Sequence, residues 1–175
     1  MKVWDRAVRA IHWSLAATCA GAWASTEVGL RWHEPLGYVA LALVAVRVAW
    51  GFTGPRHARF TQFVRGPAAT LAYASRVAAG TAPRYLGHNP LGAWMALALW
   101  GCIALLGLTG WLYSLDMFWG EAWLDRTHQW LGWTLLALVL LHLAGVLHSA
   151  RRHDDRLVAA MVTGNKRPPG PEDIS

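Results

Sequence analysis

Eight histidines lie in a chain that is 55% hydrophobic and only 15% charged. Four of them, His12, His33, His128 and His142, are placed where they could do chemistry together. His128 and His142 are 14 residues apart; on one helix that is roughly 21 Å of rise, with the two rings within about 40° of the same face. His33 and His128 open similar phrases, HEPLGYVALAL and HQWLGWTLLAL, and HNPLGAWMALAL opens at His88. Ionisable side chains are costly in apolar surroundings and normally turn inward toward a partner. Imidazoles that meet across helices can hold a metal ion or an iron porphyrin.

The elements that must position these rings are hydrophobic runs. Four of them, about 8–25, 35–52, 91–114 and 127–149, approach the roughly 20 apolar residues that cross a bilayer as a helix. The pattern predicts an all-α, integral membrane four-helix bundle. The first run competes with a secretory signal, but more spans follow and no convincing small-x-small cleavage site precedes a soluble domain. It is expected to be a retained helix.

Basic residues set the topology. Lys2, Arg6 and Arg9 precede the first run; Arg47, Arg56, Arg59, Arg65, Arg76 and Arg84 lie at or between the second and third; Arg151, Arg152, Arg156, Lys166 and Arg167 follow the fourth. The other connections hold only Arg31 and Arg126. Both termini and the long middle loop are therefore expected in the cytoplasm, and this one-sided bias accounts for the basic charge without nucleic acid. Of the twelve tryptophans, Trp4, Trp13, Trp50 and Trp94 fall near the inner boundary and Trp23, Trp32, Trp111, Trp119 and Trp123 near the outer one, as amphipathic rings at headgroup depth do. Cys19 and Cys102 read as small buried hydrophobes rather than a disulfide. PAATLAYASRVAA from Pro67 predicts a short interfacial helix in the middle loop. A further short helix is expected at 157–162. The bundle domain is expected to cover 1–167, with a disordered tail at 168–175.

With this topology the histidines pair by depth. His33 and His128 fall at the outer level, His12 and His142 at the inner. A zinc site would want four ligands at one level, and each level supplies two. Two imidazoles above and below a flat macrocycle fit a six-coordinate b-type haem; the absence of CxxCH excludes covalent c-type attachment. Gly37 and Gly132 each follow a proposed outer ligand by four residues on the same face, where a missing side chain lets a broad ring approach. Ordinary small-residue helix packing is the competing reading. Arg47, 14 residues after His33, falls on the ligand face at the inner level, to pair with haem propionates or to snorkel to the surface. His88 reads as a helix-entry residue, with Asn89 as cap and Pro90 in the first turn. His148 lies off the ligand face, and His57 and His153 read as solvated loop or tail residues. Trp13, Trp130 and Trp133 flank ligands, to pack on the rings or to serve as belt residues.

The motifs VWDRAVRAIHW, RWHEPLGYVALALVAVRVAWGFTGPRHARF, PRYLGHNPLGAWM and THQWLGWTLLALVLLHLAGVL, with the tail RLVAAMVTGNKR, resemble the bacterial cytochrome b-561 / nickel-iron hydrogenase cytochrome b family over residues 3–167. The resemblance implies a four-helix membrane core holding two b haems ligated from the first, second and fourth helices. Carried over by motif, the ligands are His12, His33, His128 and His142. It also implies electron transfer between quinone, or another carrier, and a redox partner on one membrane face.

The expected function is therefore transmembrane electron transfer through two haem b groups in a bacterial cytoplasmic (inner) membrane, as a multi-pass protein among lipids. Quinone is expected as substrate, a c-type cytochrome or dehydrogenase subunit as partner, and a homodimer is among the expected arrangements. The alternatives are a haem-edge oxidoreductase such as a superoxide:quinone oxidoreductase, and a haem-free membrane anchor or transporter whose histidines relay protons.

Overall fold

The computed structural model describes residues 1–28 and 30–174; Ser175, the last residue of the expected tail, lies outside them. Among the described residues the regular structure is helical, with two isolated β-bridges. The helices are α1 (Arg6–Val28), α2 (His33–Thr53), α3 (Phe60–Phe63), α4 (Pro67–Ala78), α5 (Pro90–Tyr113), α6 (Ala122–His153) and α7 (Leu157–Thr163). Of these, α2, α5 and α6 are long and apolar enough to cross a membrane. α1 has 23 residues and carries Arg6, Arg9 and Glu27 among them.

Local chemistry explains where the helices start. Pro67 occupies the first turn of α4, where its missing N–H and fixed φ cost nothing. Asn89 caps α5: its Oδ1 accepts the Gly92 amide at 2.7 Å, satisfying a donor that the helix itself leaves open. The expected helices at the middle loop and at 157–162 are both present. α6 runs beyond its apolar stretch at both ends, because Asp125, Arg126, Arg151 and Arg152 are compatible with helix even where the hydrophobic pattern stops.

The chain divides into two compact units. One comprises Met1–Arg9, Trp50–Leu97 and Leu141–Ser175; the other comprises Ala10–Ala49 and Ala98–Leu140. The first is a knot of distant segments. Val3, Trp4, Val8, Ala58 and Ala160 form its apolar centre, with Trp50 and Met161 against them. The Gly164 carbonyl accepts the Val3 and Trp4 amides at 2.9 and 3.1 Å, and an antiparallel bridge joins Lys2 to Asn165. Gly164 itself has φ +86°, and a Cβ there would meet the Trp4 carbonyl at 2.7 Å. Only glycine suits that corner.

The tail departs from the expectation of disorder. Ile174 bridges Tyr85 and exchanges backbone bonds of 2.9 Å with Arg84 and Leu86. The Arg84 guanidinium binds Asp155 at 2.9 Å and also Asp173, and Lys166 lies 3.7 Å from Asp155. Burial works against the Arg84 charge, but its bonds to Asp155 and Asp173 outweigh it and raise its pKa. The physical reason for the order is that buried charges persist when paired and hydrogen-bonded, and Asp173 supplies part of that pairing.

The second unit packs segments of α1, α2, α5 and α6. Its centre is Ala40, Val44 and Ile103, flanked by Leu15, Cys19, Trp100 and Leu135. Cys19 and Cys102 are free. Gly21 and Gly107 lie against Leu36 and Leu41 respectively, at 3.2 and 3.1 Å from where a Cβ would stand.

Candidate functional site

The second unit brings His33 and His128 together. Their ring centroids are 5.9 Å apart with planes at 72°, although 95 positions separate them in the chain. Two imidazole nitrogens bonded to one metal at about 2 Å each hold their ring centroids roughly 6 Å apart, so the pair matches the spacing that a shared iron would need. His33 Nδ1 lies 2.9 Å from the Ala22 carbonyl. A carbonyl only accepts, so Nδ1 carries the hydrogen and Nε2 keeps its lone pair for a ligand role. His128 Nδ1 stands 2.9 Å from Thr109 Oγ1. α5 passes this ring closely at Gly110, where a Cβ would come within 3.4 Å of His128 Cε1.

Of the two glycines that follow the paired histidines, one faces open space and the other a ring. A Cβ on Gly37 would meet nothing within 4 Å, while one on Gly132 would touch Trp23 at 3.6 Å. Trp23 in turn makes an edge contact with Trp133 at 5.1 Å. Trp130 is exposed. Trp13 stands edge-on to His12 at 5.1 Å. Arg47 is 4% exposed, and its guanidinium lies 4.8 Å from the Trp100 ring centre. That is cation–π distance in a desolvated place. Among the described residues no three of His, Cys, Asp and Glu gather as a metal cluster. The donor set of the His33–His128 pair is therefore two imidazoles, the number a porphyrin leaves open on its iron.

His12 belongs to the second unit and His142 to the first; both are half-buried. The first unit also holds the remaining sequence candidates. His88 is packed between Trp4 and Phe63, each 4.9 Å away by ring centres, directly before the Asn89 cap. His57 and His153 are half-buried rather than solvated. His57 stands beside Gly87, whose Cβ would lie 3.5 Å from its Nδ1. Burial, then the charges of Arg56 and Lys166, push the His57 imidazole below its ordinary pKa.

The sequence profile of prokaryotic cytochrome b561 matches residues 3–164. The chain belongs to the prokaryotic cytochrome b561 family. No curated protein and no solved structure matches it. As a member of this family it is a membrane haem-b protein of electron transfer, in agreement with its apolar helices. Two side chains that shape the site carried no signal of their own in the sequence. Thr109 is a lone hydroxyl in an apolar helix, and Trp100 is one more tryptophan among twelve.

Proposed function

We propose that the chain moves single electrons across a bacterial inner membrane through two b-type haems, between a redox protein and the quinone pool. The observation that carries this reading is the His33–His128 pair: 5.9 Å between rings, with the His33 tautomer held by Ala22 so that Nε2 is left bare. In this reading α1, α2, α5 and α6 are the four spans, both termini are cytoplasmic, and α4 lies at the interface. His33 and His128 hold the outer haem. His12 and His142 hold the inner one, supported by the 14-residue spacing from His128 to His142 along the continuous helix α6.

When bound, each haem supplies a one-electron iron couple. The protein's own residues do the rest. The four imidazoles would hold the two haem irons. Gly37 would let the macrocycle edge approach the helix backbone, whereas the face of Gly132 is taken by Trp23. Arg47, a cation held against Trp100, would pair with the inner haem propionates and raise the local potential. A c-type cytochrome or a dehydrogenase subunit is the proposed protein partner, and a homodimer the proposed assembly. Quinone and quinol interconvert by two successive one-electron steps, with two protons exchanged with water, so exchange with one-electron haems balances in either direction.

The test is direct. Full-length protein purified with haem supply intact is expected to show b-type bands on reduction and two haems per chain, and its haems are expected to be reduced by a quinol analogue. A protein with neither bands nor haem overturns the reading.

A further inference from the structure

The proposed reading makes His128 a haem ligand, and on that reading we infer that Thr109 is a positioning residue that sets the tautomer and donor strength of His128. Thr109 is 8% exposed, and its hydroxyl has three neighbours: the Leu105 carbonyl at 2.9 Å, the Leu106 carbonyl at 3.1 Å, and His128 Nδ1 at 2.9 Å. A hydroxyl has one hydrogen to give and two lone pairs to offer. The two carbonyls only accept. A buried threonine on a helix gives its hydrogen to the carbonyl one turn back, which turns a lone pair toward His128. Nδ1 of that ring then donates, and Nε2 is left free.

The opposite arrangement would put the Thr109 hydrogen on His128 Nδ1 and the ring hydrogen on Nε2. That tautomer cannot ligate iron through Nε2. The two histidines of the pair are thus fixed by different means. His33 answers to a main-chain carbonyl, which no substitution removes. His128 answers to the Thr109 hydroxyl together with the Leu106 main chain, and of these two the hydroxyl is the one a substitution can remove. Donation from Nδ1 makes an imidazole a stronger base toward iron. A stronger donor favours the oxidised metal, so Thr109 holds the potential of one haem down.

The experiment compares the full-length wild type with Thr109→Val, which keeps shape and loses the acceptor, and Thr109→Ser, which keeps the hydroxyl. Midpoint potentials of both haems are read by optical titration, and ligand strength by the low-temperature electron paramagnetic resonance of the oxidised iron. Thr109→Val is expected to raise the potential of one haem, alter its resonance signal and leave the other haem unchanged. It should also loosen that haem by about 10- to 100-fold, the usual cost of losing a ligand's outer partner. Thr109→Ser is expected to match the wild type.

Wild-type potentials and signals for both haems in Thr109→Val overturn the inference and leave the two-haem reading standing. Should Thr109→Val lose one haem outright, the serine variant decides: retention at the wild-type potential upholds the role of the hydroxyl, and loss there as well overturns it in favour of packing by the methyl group. Wild-type protein without haem overturns the underlying reading and this inference together.

Discussion

The two units bury polar side chains in opposite ways. In the unit of Met1–Arg9, Trp50–Leu97 and Leu141–Ser175 the buried polar residues are Arg84, Asp155 and Lys166, and they satisfy one another. In the unit of Ala10–Ala49 and Ala98–Leu140 they are Ser25, Arg47 and Thr109. Ser25 donates to the Ala22 carbonyl at 2.7 Å, the same oxygen that accepts His33 Nδ1, and Thr109 stands on His128. One unit spends buried polarity on tying together segments far apart in sequence. In the other, Ser25 shares an acceptor with His33, Thr109 stands on His128, and Arg47 lies against Trp100. The difference teaches that buried polarity ties distant segments in one unit, while in the other two of the three polar groups border the paired imidazoles.

The largest expected effect breaks the second unit's side of that contrast. His33→Ala or His128→Ala removes one imidazole of the pair, and the purified protein is expected to fall from two haems per chain to one, measured by haem extraction against protein concentration. Arg84→Met attacks the other unit. Removing one partner of a buried ion pair costs about 3–5 kcal/mol, because Asp155 and Asp173 are left without their guanidinium. The thermal midpoint followed by tryptophan fluorescence is expected to drop accordingly, while the spectrum of the haem bound by His33 and His128 persists at low temperature. Loss of that spectrum together with the midpoint would show the two units to be one cooperative body.

The fold was legible where apolar runs dictated it. α2, α5 and α6 follow from length and hydropathy, and the Asn89 cap from residue chemistry. The nearness of His33 and His128 was expected, because the predicted topology puts both rings at one depth. Thr109 was not, because a single threonine in an apolar span has no periodic signature, and it reaches His128 only through the packing of α5 on α6. Asp173 was not legible either. PPGPEDIS has the composition of a disordered end, and its order comes from Arg84, 89 residues away. His57 was misplaced in solvent for the same reason: half-burial of a loop residue comes from long-range packing, to which local sequence is blind.

Acid provides a smaller and more selective probe of the charged unit. The Gly170 amide, and after it Arg84, hold the Asp173 carboxyl below the ordinary value. A depressed carboxylate contributes stability that is fully present above its unfolded pKa, about 3.9, and is lost as pH falls through the lower folded value. The tail is therefore expected to stay latched from neutral pH down to about pH 4 and to release only in stronger acid. Limited proteolysis at graded pH measures this, and Asp173→Asn is expected to open the tail several-fold faster already at pH 7. Equal cleavage of the variant and the wild type at pH 7 would mean that the backbone bridge to Tyr85 holds the tail unaided.

The smallest expected effect is the most pointed test of the comparison, because it concerns a phrase that both units share. His33, His88 and His128 each stand three residues before Leu-Gly at the head of an apolar run. In the second unit the first and last of these rings meet each other. In the first unit the ring of His88 meets Trp4 and Phe63 instead and precedes a cap already made by Asn89. Edge contacts between such rings contribute about 0.5–1.5 kcal/mol, so His88→Ala is expected to lower stability by about that much and to leave two haems per chain at unshifted potentials. On the proposed reading the same sequence phrase serves packing in one unit and ligation in the other, and the difference lies in what faces the ring: Trp4 and Phe63 at His88, a second imidazole at His33. A His88→Ala protein with a single haem would reverse this assignment, because an imidazole enclosed by two aromatic rings would then be a ligand after all.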